Sequence, residues 1–249
     1  MKHKLIIIIG LLLSTSAILA QNPLEKKAAE LYASKDYEGA VSVYEELLQS
    51  GVSTDLYYNF ANSLFKSGEL GRAILYYERA LVLNPSNEDA VASLDFANTQ
   101  ITDKIDINEK FFVVEWVSVL GKIFDTNRWA YLSITLFLTA IILVLIFLFN
   151  RNIVIRKTSF FVGIFCFVMS MISFLYAFSQ KKYLQNNPFA IVMDGSVSVK
   201  SSPSVSGKEL FVLHEGTKIE VISSNNDWNE ISLPDGKVGW VKAETVEGI

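Results

Sequence analysis

Two long apolar runs that contain no charged residue constrain this chain more than any other feature of it. Residues 129–149 and 158–179 are 21 and 22 residues long and carry no Asp, Glu, Lys or Arg. At a helical rise of about 1.5 Å per residue, each reaches roughly 30 Å, the thickness of a bilayer's hydrocarbon core. Fourteen Leu, Ile, Val and Phe side chains in the first run favour insertion by roughly 4–8 kcal/mol on the biological scale. Neither run offers a polar face to water, so neither reads as the core helix of a soluble domain. The pattern predicts a transmembrane hairpin. Its connection, residues 150–157, holds Arg151, Arg156 and Lys157 and no acid. The positive-inside rule puts that connection in the cytoplasm and both larger flanks outside.

The N-terminus agrees with this orientation. Lys2, His3 and Lys4 precede the apolar run Leu5 to Leu13, and small residues from Ser14 lead to Ala20. That is a secretory signal over residues 1–20, or a retained anchor, since Ile18 is not the small residue favoured before cleavage after Ala20. Either one exports the segment after Ala20. The expected localisation is therefore the inner membrane, multi-pass, with both outer segments in the periplasm. Hydrophobic residues make up 51% of the chain and the net charge is −4, which leaves no basic field to hold a nucleic acid.

Small side chains recur along the second span at Gly163, Cys166, Ser170, Ser173 and Ala177, a spacing of three and four that puts them on one helical stripe. A second helix can approach closely there, either the other arm of the hairpin or a partner's membrane helix.

Before the spans, Ala40, Tyr44 and Leu47 are echoed 33 residues later by Ala73, Tyr77 and Ala80. The unit is a helix hairpin in which small Ala61 and Ala73 permit close approach, Gly68 turns the chain and Pro85 ends the second helix. With Tyr57, Phe60, Leu64 and Leu70 at matching positions, residues 54–87 resemble a tetratricopeptide (TPR) repeat. Residues 21–53 are a weaker copy, and the helix from Glu88 to Ile101 reads as a cap, because Asp95 stands where the repeat wants a small residue. Residues 21–104 thus form a TPR-like region of two repeats and a cap, marginal on its own. Residues 105–128 read as an amphipathic juxtamembrane segment; its helix over 111–124 either lies in the headgroup plane or closes the repeat stack.

The resemblance implies a concave groove built by the first helix of each repeat, with Tyr32, Tyr58, Asn59, Asn62 and Phe65 as candidate partner contacts. Aromatics at this spacing are also what a helical core requires. Family members that capture a peptide carboxylate carry Lys, Asn and Arg where this chain has Glu25, Ala29, Asp89 and Ser93, and only Asn59 matches. Residues 21–110 hold eight basic against fifteen acidic side chains, which favours a basic partner surface or simply keeps the stack soluble.

Beyond a linker at 180–189, residues alternate in short pieces: Val197 and Val199, Ile219 and Val221, Ile231 and Leu233, Val238 and Trp240. Pro234, Asp235 and Gly236 mark a hairpin turn, and residues 201–207 a longer polar loop. Residues 190–249, with their closing Gly239-Trp240-Val241, resemble a bacterial SH3 domain, a small β-barrel. Trp228 and Trp240 read as packing residues before a ligand platform, and the loop from Lys200 to Lys208 is a candidate rim. The resemblance implies binding of cell-wall peptides or of a protein.

No catalytic residue, cofactor site or metal site is expected. The one cysteine lies in a membrane run, only two histidines exist, and no phosphate-loop, dinucleotide or nucleophile-elbow motif occurs. The expected fold class is a multi-part membrane protein with an all-α TPR-like repeat, a two-helix transmembrane hairpin and a C-terminal SH3-like β module. That order of parts resembles the Bacteroides aerotolerance (Bat) family. The resemblance implies a non-enzymatic scaffold whose periplasmic domains work beside von Willebrand A-domain membrane proteins and a MoxR-type ATPase. The alternative is an envelope-anchoring module that holds peptidoglycan through the SH3-like part.

Overall fold

A computed structural model describes residues 22–105, 120–121, 123–185 and 187–249. The expected signal over residues 1–20 and most of the expected 111–124 helix lie outside the described residues. Five helices open the described chain: α1 (Pro23–Ala33), α2 (Tyr37–Leu48), α3 (Thr54–Ser67), α4 (Leu70–Leu83) and α5 (Glu88–Asn98). Four of them are started by a side-chain oxygen that accepts from a first-turn amide: Asn22 for α1, Asp36 for α2, Ser53 for α3 and Asn87 for α5. The fourth helix lacks such a cap, since Glu69 turns instead to Arg72 and Ser67.

The 33-residue echo reappears as packing. Ala40 and Ala73 are both fully buried, and Tyr44 and Tyr77 fill equivalent places in one continuous core with Phe60 and Leu64. The turns between paired helices repeat too. Gly68 adopts φ +93°, and Lys35, 33 residues earlier, is forced into the same left-handed region at φ 67°.

Two long helices come next, α6 (Thr126–Phe149) and α7 (Ile153–Gln185), both long and apolar enough to cross a membrane. Each exceeds the charge-free run inside it. Asp125 caps α6, which therefore begins before Trp129, and Asn152 accepts from Val154 to start α7 early. The connection is residues 150–152, and Arg156 and Lys157 ride on the first turns of α7, with the Arg156 guanidinium 5.4 Å from the centre of the Phe147 ring. At the opposite end α7 runs beyond α6 to Gln185, so the first half of the expected linker is helix.

The C-terminal part is a seven-stranded antiparallel sheet in the order β3-β2-β6-β5-β4-β1-β7. The strands are β1 (Phe189–Val192), β2 (Ser196–Lys200), β3 (Glu209–His214), β4 (Lys218–Asn225), β5 (Trp228–Ser232), β6 (Val238–Lys242) and β7 (Val246–Gly248). Its core joins Val192, Val197, Val199, Leu213, Ile219, Ile231 and Val241. The alternating pairs seen in sequence fall on β2, β4, β5 and β6, apart from Leu233 just after β5, whereas β1, β3 and β7 add to them.

Candidate functional site

The expected partner contacts sit on the first helices of the repeats. Tyr32 on α1 is half-buried and meets Tyr37 edge-on at 5.4 Å; Tyr58 on α3 lies 6.1 Å from Tyr77. Phe65 meets Phe96 of α5 edge-on at 5.7 Å, and Asn59 is exposed. Asn62 accepts a 2.6 Å hydrogen bond from the Tyr77 hydroxyl through its Oδ1, which orients its amide group as a donor. Burial pushes the hydroxyls of Tyr77, Tyr32 and Tyr44 up from the usual phenol value, so they stay neutral donors. Tyr32, Tyr58 and Phe65 each pack against the repeat core while keeping part of the ring outside it. Phe96, 57% exposed, adjoins Phe65 and was not among the sequence candidates; it sits on a helix whose Asp95 made it read only as a cap.

The five small residues of α7 face the other arm of the hairpin. Cys166, Ser170, Ser173 and Ala177 are each buried, and a Cβ placed at Gly163 would stand 3.4 Å from that of Leu143. At the centre the Ser133 hydroxyl donates to the Ser170 carbonyl at 3.0 Å, and the Ser170 hydroxyl returns a bond to the Ser133 carbonyl at 2.9 Å. Near the end away from the turn, Gln180 Nε2 donates to the carbonyls of Gly121 (2.6 Å) and Phe124 (3.0 Å), while Trp129 stacks on Tyr176. Apolar side chains on the outer faces of both helices, Leu148 and Phe149 among them, are exposed.

The repeat stack and the β module are in direct contact, which the sequence did not reveal. Strand β1 is buried on both faces: Ala190 and Val192 point into the sheet's core, and Ile191, fully buried, points into the core of the repeats. Met193 and Ile249 pack beside it on the repeat side, while Ile105 crosses the other way to the sheet's core. Polar groups frame this contact. Glu215 Oε1 accepts from the Gly71 amide at 2.6 Å, supplying the N-terminal cap that α4 does not make for itself. Lys218 pairs with Glu78 at 2.7 Å, and Arg79 with Glu247 at 2.9 Å and the Gly248 carbonyl at 2.7 Å. Asp103 accepts from the His214 amide (2.6 Å) and the buried Thr217 hydroxyl (2.7 Å), and lies 2.7 Å from His214 Nδ1. Partial burial alone would raise the Asp103 carboxyl; the bonds from His214 and Thr217 more than offset that and hold it below the usual aspartate range.

In the β module, Val205 of the polar loop and Leu210, Val212 and Val238 of the strands are exposed. Trp228 and Trp240 are half-buried and stand outside the sheet's core, which aliphatic side chains fill. The polar loop closes on itself through the Ser201 amide and the Lys208 carbonyl at 2.9 Å. Among the described residues, no three His, Cys, Asp or Glu gather in a metal-binding group.

Comparison with known families identifies two modules. The bacterial SH3 domain family matches residues 195–247, and the tetratricopeptide repeat family matches residues 54–87. No curated protein matches the chain. The class that fold and matches define is a protein of interaction modules, a helical TPR-like region and an antiparallel SH3-like sheet, with two helices consistent with membrane anchoring. Such modules bind proteins or peptidoglycan and are typically non-catalytic.

Proposed function

We propose that the chain is a non-enzymatic, membrane-anchored scaffold that recruits a protein segment to the first-helix face of its TPR-like stack. The observation that carries this reading is the division of labour between the two sides of the stack. The polar contacts to the SH3-like module fall on Gly71, Glu78 and Arg79 of α4 and on Asp103, and among the described residues none of Tyr32, Tyr58, Asn59, Phe65 and Phe96 makes a hydrogen bond or ion pair with it. An aromatic face with the exposed Asn59 and the oriented Asn62 amide suits an extended segment, and the acidic balance around it favours a basic one. By resemblance to the Bat family, the segment belongs to a neighbouring inner-membrane protein of the von Willebrand A-domain kind, in an assembly that supports tolerance of oxygen or other stress.

Both outer segments lie in the periplasm on this reading. The shared core supports it, because Ile191 reaches the repeats only if the two flanks of the hairpin are on one side of the membrane. The basic residues Arg151, Arg156 and Lys157 at the turn favour the cytoplasm for the other side. Protease added outside spheroplasts is expected to digest both flanks; protection of one alone contradicts the arrangement.

The partner test is affinity purification of the intact protein in mild detergent beside a Tyr58→Ala, Asn59→Ala variant, whose helicity is checked by circular dichroism. Companions lost from the folded variant map the face, and equal recovery removes these contacts from it. The second reading, peptidoglycan binding through the SH3-like module, is favoured by the family match and by the exposed Leu210, Val212 and Val238. Strong cosedimentation of the intact protein with purified cell wall, unaffected by the Tyr58 and Asn59 changes, selects it over the scaffold.

A further inference from the structure

We propose that the SH3-like module is the closing cap of the TPR-like stack, so that residues 22–105 and 187–249 make one cooperative unit into which the membrane hairpin is inserted. The inference is independent of what either module binds.

A helical repeat array exposes an apolar face at each end, and two repeats with a single further helix seldom hold together without something covering it. Here the cover comes from the far side of the hairpin. Ile191 is a member of the repeat core with no exposure at all, on a strand whose neighbours Ala190 and Val192 belong to the sheet. The exchange is mutual, since Ile105 from the repeat side packs against the sheet's core. Each module also holds polar groups that the other satisfies. The N-terminus of α4 has no cap of its own and takes Glu215; Thr217, 1% exposed, gives its hydroxyl to Asp103. Glu78, with 13% of its side chain exposed, is matched by Lys218. Shape adds a further constraint. Gly216 turns at φ +86° directly against the repeats, where a Cβ would stand 2.8 Å from both Ile74 Cδ1 and Ile101 Cγ2. A module free to swing on its linker needs none of these features.

The test uses the full-length protein in lipid nanodiscs and reads amide hydrogen exchange across α4 and α5. Gly216→Val, which introduces both a forbidden φ and a clash, is expected to speed exchange in these helices by about tenfold or more, together with exchange in β1. A charge-reversal series covers the case in which that variant fails to fold: Glu78→Lys and Lys218→Glu each speed exchange, and the double variant restores protection. Coincident loss of protection in α4, α5 and β1, with recovery in the double variant, supports the cap. Loss confined to β1 while α4 and α5 stay protected overturns it, because the stack then stands unaided. Unchanged exchange in every single variant overturns it equally, because the contact is then dispensable.

Discussion

Lys35 and Gly68 occupy the same place in successive repeats, yet only one of them suits it. Both turns need a left-handed residue, and a side chain with a Cβ there is strained by roughly 1 kcal/mol or more. Lys35 is exposed, and its side chain forms no ion pair among the described residues, so no such side-chain contact offsets that strain. Lys35→Gly is expected to raise the stability of the stack by about 1 kcal/mol, read as a higher thermal midpoint. A lower midpoint sinks the argument. The pair also marks what a single residue makes legible. Gly68 announced its turn from sequence, while Lys35 gave no sign of the same turn in the first repeat.

Among the elements, β1 escaped the sequence reading for a definite reason. A strand buried on one face alternates apolar and polar residues, as β2 does with Val197 and Val199; a strand buried on both reads as an unbroken apolar run. Phe189-Ala190-Ile191-Val192 is such a run, four residues long, beside a helical linker that masks it. The edge strand β3 failed differently, since Leu210 and Val212 lie exposed and break the expected alternation. Helices were easier: a 33-residue period, a glycine at the turn and a proline at the stop described α3 and α4 nearly to the residue. The two long helices were legible as apolar length, and the stripe of small side chains marked where a helix can approach without saying whether it is the other arm or a partner's. That contact yields a prediction of its own. Ser170→Leu removes the bond from the Ser170 hydroxyl to the Ser133 carbonyl and forces a larger side chain between α6 and α7, at a cost of roughly 1–3 kcal/mol. Unfolding of the purified protein by sodium dodecyl sulfate should shift to lower detergent fraction, and an unchanged transition speaks against close packing at that position.

Across the whole molecule, the contact between the two modules is framed by polar pairings that join residues more than a hundred positions apart. Asp103 meets His214 and Thr217, Glu78 meets Lys218, and Gly71 meets Glu215. No local pattern can carry such pairings, which is why the modules read as separate heads on a tether. Their chemistry does set a pH dependence. The Asp103 carboxyl titrates lower when docked than when free, so its contribution is complete above its unfolded value of about 4 and is lost as pH falls through the lower, docked value. Acid should therefore loosen the contact, and Asp103→Asn should weaken it at neutral pH while flattening that acid-dependent part. A variant with the same acid response as the parent contradicts the assignment.

The pairing of Arg79 with Glu247 spans 168 residues, with the two long apolar helices α6 and α7 between the partners. Synthesis is thereby ordered: the repeats emerge early with their end uncovered, and their cover arrives only after α6 and α7 have been made. A chain halted before β1 is an unfinished solenoid with that end bare, so proteolysis of truncated products inspects the completeness of the polypeptide as well as its fold.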